Sequence, residues 1–315
     1  MSSHSLETPI AFLIFKRPDT TQKVFEVIRE MQPKRLFVVA DGPRSDRPGE
    51  ADQTTATRAI IERVDWDCEI LKNYSEVNLG CAKRVSSGLD WVFSQAEEAI
   101  ILEDDCVPDL TFFRFCEESL ARYRHDERMM SISGQNVQFG RTQTKDSYYF
   151  SRYHHCWGWA TWRRAWEHFD FDMVHWPEIR EQNFLQDLFC DPTAARFWHQ
   201  TFQATYDGVI DSWANRWMLA CWLQNGLSIL SKNNLVSNIG FGIGSTNTKN
   251  RVKKVNLYAS MPTKKVEFPL KHPQFIIRNT QADNYTQKTL YSQNTFKWFK
   301  KQVRHKLKKH QLIKR

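Results

Sequence analysis

The sequence predicts an α/β protein built on a mostly parallel sheet flanked by helices. Two observations carry that expectation. Unbroken apolar runs of strand length recur at Ile10 to Phe15, Leu36 to Ala40 and Ala99 to Leu102, as strands buried on both faces require. Between them lie stretches with apolar residues at helical spacing, such as Val24, Val27, Ile28 and Met31, so strand and helix alternate.

Each element has its own boundary signals. Lys16-Arg17-Pro18-Asp19 ends the first run, Asp19 or Thr20 can cap the next helix, and Pro33 closes it. The second run ends at Asp41-Gly42-Pro43; a helix from about Ala51 to Val64 and a short strand near Cys68 to Lys72 are expected next. Asn78-Leu79-Gly80-Cys81-Ala82-Lys83-Arg84 leads into a helix bearing Val85, Leu89, Val92 and Phe93. That helix feeds the strand at Ala99, which runs into Glu103-Asp104-Asp105 and is stopped by Pro108. Asp109 is placed to cap a helix over Thr111 to Tyr123, and Met129 to Ser133 reads as a strand. His154 to Trp162 has no clean period and reads as a loop or bent strand. Pro177 to Tyr206 reads as two helices separated by Asp191-Pro192, and another helix begins at Asp211-Ser212. Leu227 to Leu230 is a further strand, whereas Asn234 to Asn247, rich in Asn, Gly and Ser, reads as a loop. From Asn250 to Asn294 periodicity fades; Phe296, Phe299, Val303 and Leu307 then recur on one helical face.

The chain has 315 residues, enough for one large α/β domain or two small ones with a sizeable core. Its formal net charge is +8, but nine Lys or Arg and no Asp or Glu lie from Phe296 onward. The rest of the chain is therefore close to neutral, and a generally nucleic-acid-seeking surface is not expected. The seven cysteines form no C-x-x-C pair and are most simply reduced thiols. No apolar run approaches the length of a membrane span or a secretory signal, so a cytoplasmic location is expected.

The chemistry concentrates where Ala99 to Leu102 delivers Glu103, Asp104 and Asp105 to a strand's carboxyl end, the edge where open α/β sheets bind ligands. Three adjacent acids repel one another unless a cation or a donor network neutralises them. Mg²⁺ or Mn²⁺ on a phosphorylated substrate meets that need, since such ions take one or two carboxylates and complete their shells with phosphate and water. Gly80 before a helix start, with Lys83 and Arg84 in the first turn, suits an approaching phosphate, though both cations can equally be solvated charges. Trp157, Trp159, Trp162 and Trp166 either line a sugar- or base-binding pocket or fill the core.

Together these residues resemble GT-A nucleotide-sugar glycosyltransferases: a first strand ending in Arg17-Pro18, Asp41 after the second, Asn78-x-Gly80 before a helix, and Ile101-Leu102-Glu103-Asp104-Asp105 after it. The likeness is to bacterial family-two-like transferases and the N-acetylglucosaminyltransferase I type, over about the first two thirds of the chain. Trp157-Gly158-Trp159-Ala160-Thr161-Trp162, Asp211-Ser212-Trp213 and Asn234 to Gly240 resemble the signature of one bacterial branch. The resemblance implies a Rossmann-like GT-A domain over 1–250, followed by a poorly organised extension over 251–293 and a basic amphipathic helix over 294–315. It implies that Phe15, Arg17 and Asp41 hold the nucleoside and that Lys83 and Arg84 meet the diphosphate. Asp105 would contact Mn²⁺ or Mg²⁺, while Glu103 and Asp104 engage ribose, sugar or metal-bound water. Asp211 falls where inverting members keep an acceptor-activating carboxylate, with helix capping as the rival role. Relatives often place a metal-binding His in a late loop; Ser245-Thr246-Asn247-Thr248 stands there instead.

The expected partners are a nucleotide-sugar donor, UDP-linked first, and a glycan or lipid-linked acceptor of bacterial surface polysaccharide synthesis. The basic tail adds an anionic membrane surface, on the inner face. No nucleic acid is expected. Two other classes compete: a non-catalytic carbohydrate- or nucleic-acid-binding module, and a metal-dependent nucleotidyltransferase. The latter should carry a glycine-rich basic loop after its first strand, which Lys16-Arg17-Pro18 lacks.

Overall fold

The computed structural model describes residues 6–141, 144–241, 258 and 260–291. The tail 294–315 and the stretch Ser245 to Thr248 lie outside them. Four strands, β1 (Ile10–Ile14), β2 (Arg35–Ala40), β3 (Glu69–Tyr74) and β4 (Glu98–Glu103), alternate with α1 (Pro18–Met31), α2 (Glu50–Ala59) and α3 (Cys81–Phe93). The chain continues through β5 (Cys106–Pro108), α4 (Thr111–Tyr123), β6 (Met129–Ser133), β7 (Tyr148–Ser151) and β8 (Trp159–Trp162). Short helices α5 (Arg163–Trp166), α6 (Trp176–Ile179) and α7 (Phe184–Phe189) precede α8 (Pro192–Tyr206) and α9 (Trp213–Leu223). Strands β9 (Leu227–Ser231) and β10 (Val236–Asn238) and helix α10 (Thr280–Leu290) complete the described residues.

Eight strands form one sheet in the order β3-β2-β1-β4-β8-β6-β9-β7. The first four pair in parallel, as the apolar runs require. The remainder is mixed: β8 runs antiparallel to β4 and β6, β9 is parallel to β6, and β7 is antiparallel to β9. The expected sheet, mostly parallel and flanked by helices, is therefore present. Register then aligns the carboxyl ends of the parallel strands. Ile14 lies beside Ala40 and Leu13 beside Glu103, so Phe15, Asp41 and Asp104 leave neighbouring strands together, about 5 Å apart per strand.

Local departures from the sequence reading have physical causes. The aromatic stretch yields the strand β8, because Trp159, Ala160, Thr161 and Trp162 are all buried. Val236 to Asn238 is a strand rather than loop, paired antiparallel with Cys106 to Pro108 in a separate two-stranded sheet. Pro108 sits at the end of that ladder, where a missing N–H is tolerated. Pro177 to Tyr206 holds three helices, not two. Within 260–291, where no period was visible, α10 is anchored by buried polar pairs: Ser151 and Arg152 donate to Asp283, and Gln138 donates to Ala282 and Thr286. Trp159, Trp162 and Trp166 belong to the main core, together with Trp213 and Trp217, so of the two readings offered for the first three, core packing holds. No helix among the described residues is long and apolar enough to cross a membrane.

Candidate active site

Glu103 ends β4, and Asp104 and Asp105 form the turn into β5. Both aspartates are nearly buried, where carboxylates without counter-charge would repel strongly. Arg17, projecting just before the proline that opens α1, supplies the counter-charge. Its Nε and Nη2 donate to Asp104, and its Nη1 lies 2.8 Å from Asp105 Oδ2. Burial works to lower the guanidinium pKa, but the charges of Asp104 and Asp105 prevail and raise it. One guanidinium cannot neutralise three neighbouring acidic groups, so protonation is favoured among them. Burial first, then the charges of Asp105 and Asp104, push Glu103 up to about 8; burial also raises Asp104 against the pull of Arg17.

A strap from β10 closes over this turn. Ile239 N–H donates to the Asp105 carbonyl at 2.9 Å, and Asn238 Nδ2 donates to Asp105 Oδ1 at 3.2 Å. Gly240 passes so close that a Cβ there would stand 2.6 Å from Asp105 Cγ and 2.7 Å from Arg17 Nη1. Only glycine leaves room for that pairing. Asn238 and Gly240 lie in the Asn234 to Gly240 stretch that carried the family resemblance, but no role at the acid turn was assigned to either from sequence.

The donor set suits a cation that arrives with phosphate. Mg²⁺ and Mn²⁺ can be held through one or two carboxylates when phosphate oxygens and water complete the shell. Asp104 and Asp105, two carboxylates set against the single guanidinium of Arg17, fit that mode. It does not fit a preformed cage: among the described residues no three His, Cys, Asp or Glu side chains gather to hold a metal ion.

The neighbouring loop is organised by Asp41. Its Oδ1 accepts from the N–H groups of Gly42 and Leu79, at 3.0 and 2.9 Å. Its Oδ2 accepts from Asn78 Nδ2 and the Gly80 N–H, at 2.9 and 3.2 Å. Burial raises the Asp41 pKa despite these donors. With two donors on each oxygen, the carboxylate is spent on shaping the Asn78 to Gly80 turn, which brings α3 in at a glycine with φ of 81°. Lys83 is exposed on the first turn of α3. Arg84 points elsewhere, bonding the Asn73 carbonyl and side chain at 2.7 and 2.6 Å at the end of β3; burial lowers its pKa.

Asp211 comes to the same helix start from the other side. Its Oδ1 accepts from the Ala82 N–H at 3.3 Å, and its Oδ2 lies 3.4 Å from where a Gly80 Cβ would stand. Asp211 does not cap its own helix: Ser212 Oγ does, accepting from Asn215 N–H at 3.2 Å. Phe15 is half-buried, with Lys16 Nζ 5.5 Å and Arg44 Cζ 5.9 Å from its ring centroid. Trp157, also half-buried, meets Phe241 edge-on at 5.4 Å.

No family model matches this chain, and no curated protein matches it significantly in sequence. Among solved structures, it is similar to the mannosyltransferase PcManGT from Pyrobaculum calidifontis, in complex with GDP-Man and Mn²⁺. That similarity is 14% identity over 50% of this chain and 45% of that chain, with a TM-score of 0.36. It is also similar to HddC from Yersinia pseudotuberculosis, at 11% identity over 49% of this chain and 77% of that one, with a TM-score of 0.30. This chain therefore spans less than half of the mannosyltransferase. Superpositions this shallow carry nothing about activity, and the functional reading rests on the site's own geometry.

Proposed function

We propose that this chain is an inverting glycosyltransferase of GT-A type. It moves a sugar from a nucleotide-diphosphate donor to a hydroxyl of a glycan or lipid-linked acceptor of bacterial surface polysaccharide. One juxtaposition supports the reading. The acid turn paired to Arg17 and the α3 start organised by Asp41 lie at one sheet edge, and Asp211 extends a carboxylate to that helix start.

In this reading Phe15 offers a ring face to the base, flanked by cations. Lys83, exposed on the first turn of α3, receives the diphosphate, with Asp41 acting through the loop it holds and Arg84 bracing that loop against β3. Glu103 and Asp104 face the ribose or the sugar. Asp105 would hold Mn²⁺ or Mg²⁺, which supplies neutralisation of the charge developing on the leaving diphosphate. Asp211 Oδ1 is tied to Ala82, which orients the carboxylate and leaves Oδ2 to take the acceptor's proton as its oxygen attacks the anomeric carbon. Single displacement inverts that carbon. Against a nucleotidyltransferase stands the direct passage from Lys16-Arg17 into α1 at Pro18, without a glycine-rich loop.

A nucleotide-sugar panel, UDP-sugars first, tests this through nucleoside diphosphate release with and without Mn²⁺. Release matched by sugar transfer is expected. Consumption of nucleoside triphosphate and sugar phosphate with pyrophosphate release would instead identify a nucleotidyltransferase.

A further inference from the structure

The acid turn already holds a cation of its own, and that cation occupies the oxygen a metal ion would use. Arg17 Nη1 lies 2.8 Å from Asp105 Oδ2, while the other Asp105 oxygen accepts from Asn238. The Gly240 backbone closes the remaining side at a distance that would bring an added Cβ to 2.7 Å from Arg17 Nη1. A divalent ion on Asp105 Oδ2 would share one nearly buried carboxylate oxygen with the guanidinium, and two cations held that close in a buried turn repel.

We propose that Arg17 and a divalent cation compete for Asp105, and that a nucleoside diphosphate settles the competition by drawing the guanidinium onto its phosphates. The second half rests on the glycosyltransferase reading; the first does not. Arg17 suits both positions, because its planar fork matches carboxylate and phosphate alike. Its side chain keeps 22% exposure, so one side of it faces solvent. Lys16 and Arg44 do not duplicate it, since both are paired with Glu50. Metal and nucleotide then bind with mutual reinforcement, each raising the affinity of the other by the same factor.

Free Mn²⁺ measured by electron paramagnetic resonance gives the binding curve for the full chain and for Arg17→Met, first without nucleotide and then with uridine or guanosine diphosphate. Without nucleotide, Arg17→Met is expected to bind Mn²⁺ at least tenfold more tightly than the wild type, and Asp105→Asn in either background to remove that binding. Nucleoside diphosphate should tighten Mn²⁺ binding tenfold or more in the wild type and much less in Arg17→Met. Arg17→Lys, which keeps the charge without the fork, guards against a folding defect and should stay near the wild type before nucleotide is added. Equal Mn²⁺ affinity of wild type and Arg17→Met without nucleotide overturns the competition. Failure of both nucleotides to alter Mn²⁺ binding, with the metal-only difference present, overturns the diphosphate exchange and tells against the glycosyltransferase reading, while the competition stands.

Discussion

Asp211 accepts a hydrogen bond at 3.3 Å from the backbone N–H of Ala82, a residue 129 positions earlier. This contact joins the start of α9 to the start of α3 and leaves the second carboxylate oxygen beside Gly80 without a described hydrogen bond. Asn can keep the Ala82 bond through its amide oxygen but cannot take a proton. Asp211→Asn should therefore melt within a degree or two of the wild type and bind donor normally, while turnover falls by about 100- to 10,000-fold. Steady-state kinetics beside donor titration check this; unimpaired turnover would reduce Asp211 to a brace.

Asp41 tests the loop. Asp41→Ala strands the N–H groups of Gly42, Leu79 and Gly80 and leaves the Asn78 amide only the Gly42 carbonyl. The expected loss is about 2 to 4 kcal/mol, as for breaking a buried hydrogen-bond network. Urea unfolding measures it, and a loss within a few tenths of a kcal/mol would mean the loop does not depend on Asp41.

Much of this arrangement was legible beforehand, and the rest was not for definite reasons. β1, β2 and β4 were readable because strands buried on both faces have no polar residue to interrupt them. The acids at their ends could be placed on one edge because parallel strands share a direction. The pairing of Arg17 with Asp104 and Asp105 could not be read, since it depends on β1 lying next to β4. β5 and β10 escaped notice because three-residue strands exist only through each other's hydrogen bonds. Arg84 looked like Lys83 in sequence; only the position of Asn73 at the end of β3 separates a buried brace from an exposed cation.

Glu103 gives a pH signature. Its folded pKa, pushed from 4.5 to about 8, means that the folded chain holds the proton more tightly than the unfolded one. The stability gained is full below the unfolded value and is lost as pH rises toward 8. Glu103→Gln imitates the protonated form, so it should melt near the wild type at about pH 4 and several degrees higher at about pH 8.5. Melting curves at both pH values decide it; a constant difference would contradict the raised pKa of Glu103.

The basic segment after Asn294 should carry any membrane affinity. Each Lys or Arg at an anionic surface contributes about 1 kcal/mol, with the apolar stripe adding to it. Flotation with anionic liposomes at moderate salt should recover the full chain and lose a chain ending at Asn294. Equal recovery would remove the tail's role.

The central claim, sugar transfer from a nucleotide-diphosphate donor at the carboxylates of this sheet edge, is tested most directly by measuring nucleoside diphosphate released and sugar transferred together. The comparison is between wild type and Asp105→Asn, using the donor and acceptor found active. The account predicts one diphosphate per sugar transferred in the wild type and loss of both in Asp105→Asn, with the mutant still folded. Transfer at the wild-type rate by Asp105→Asn would contradict it.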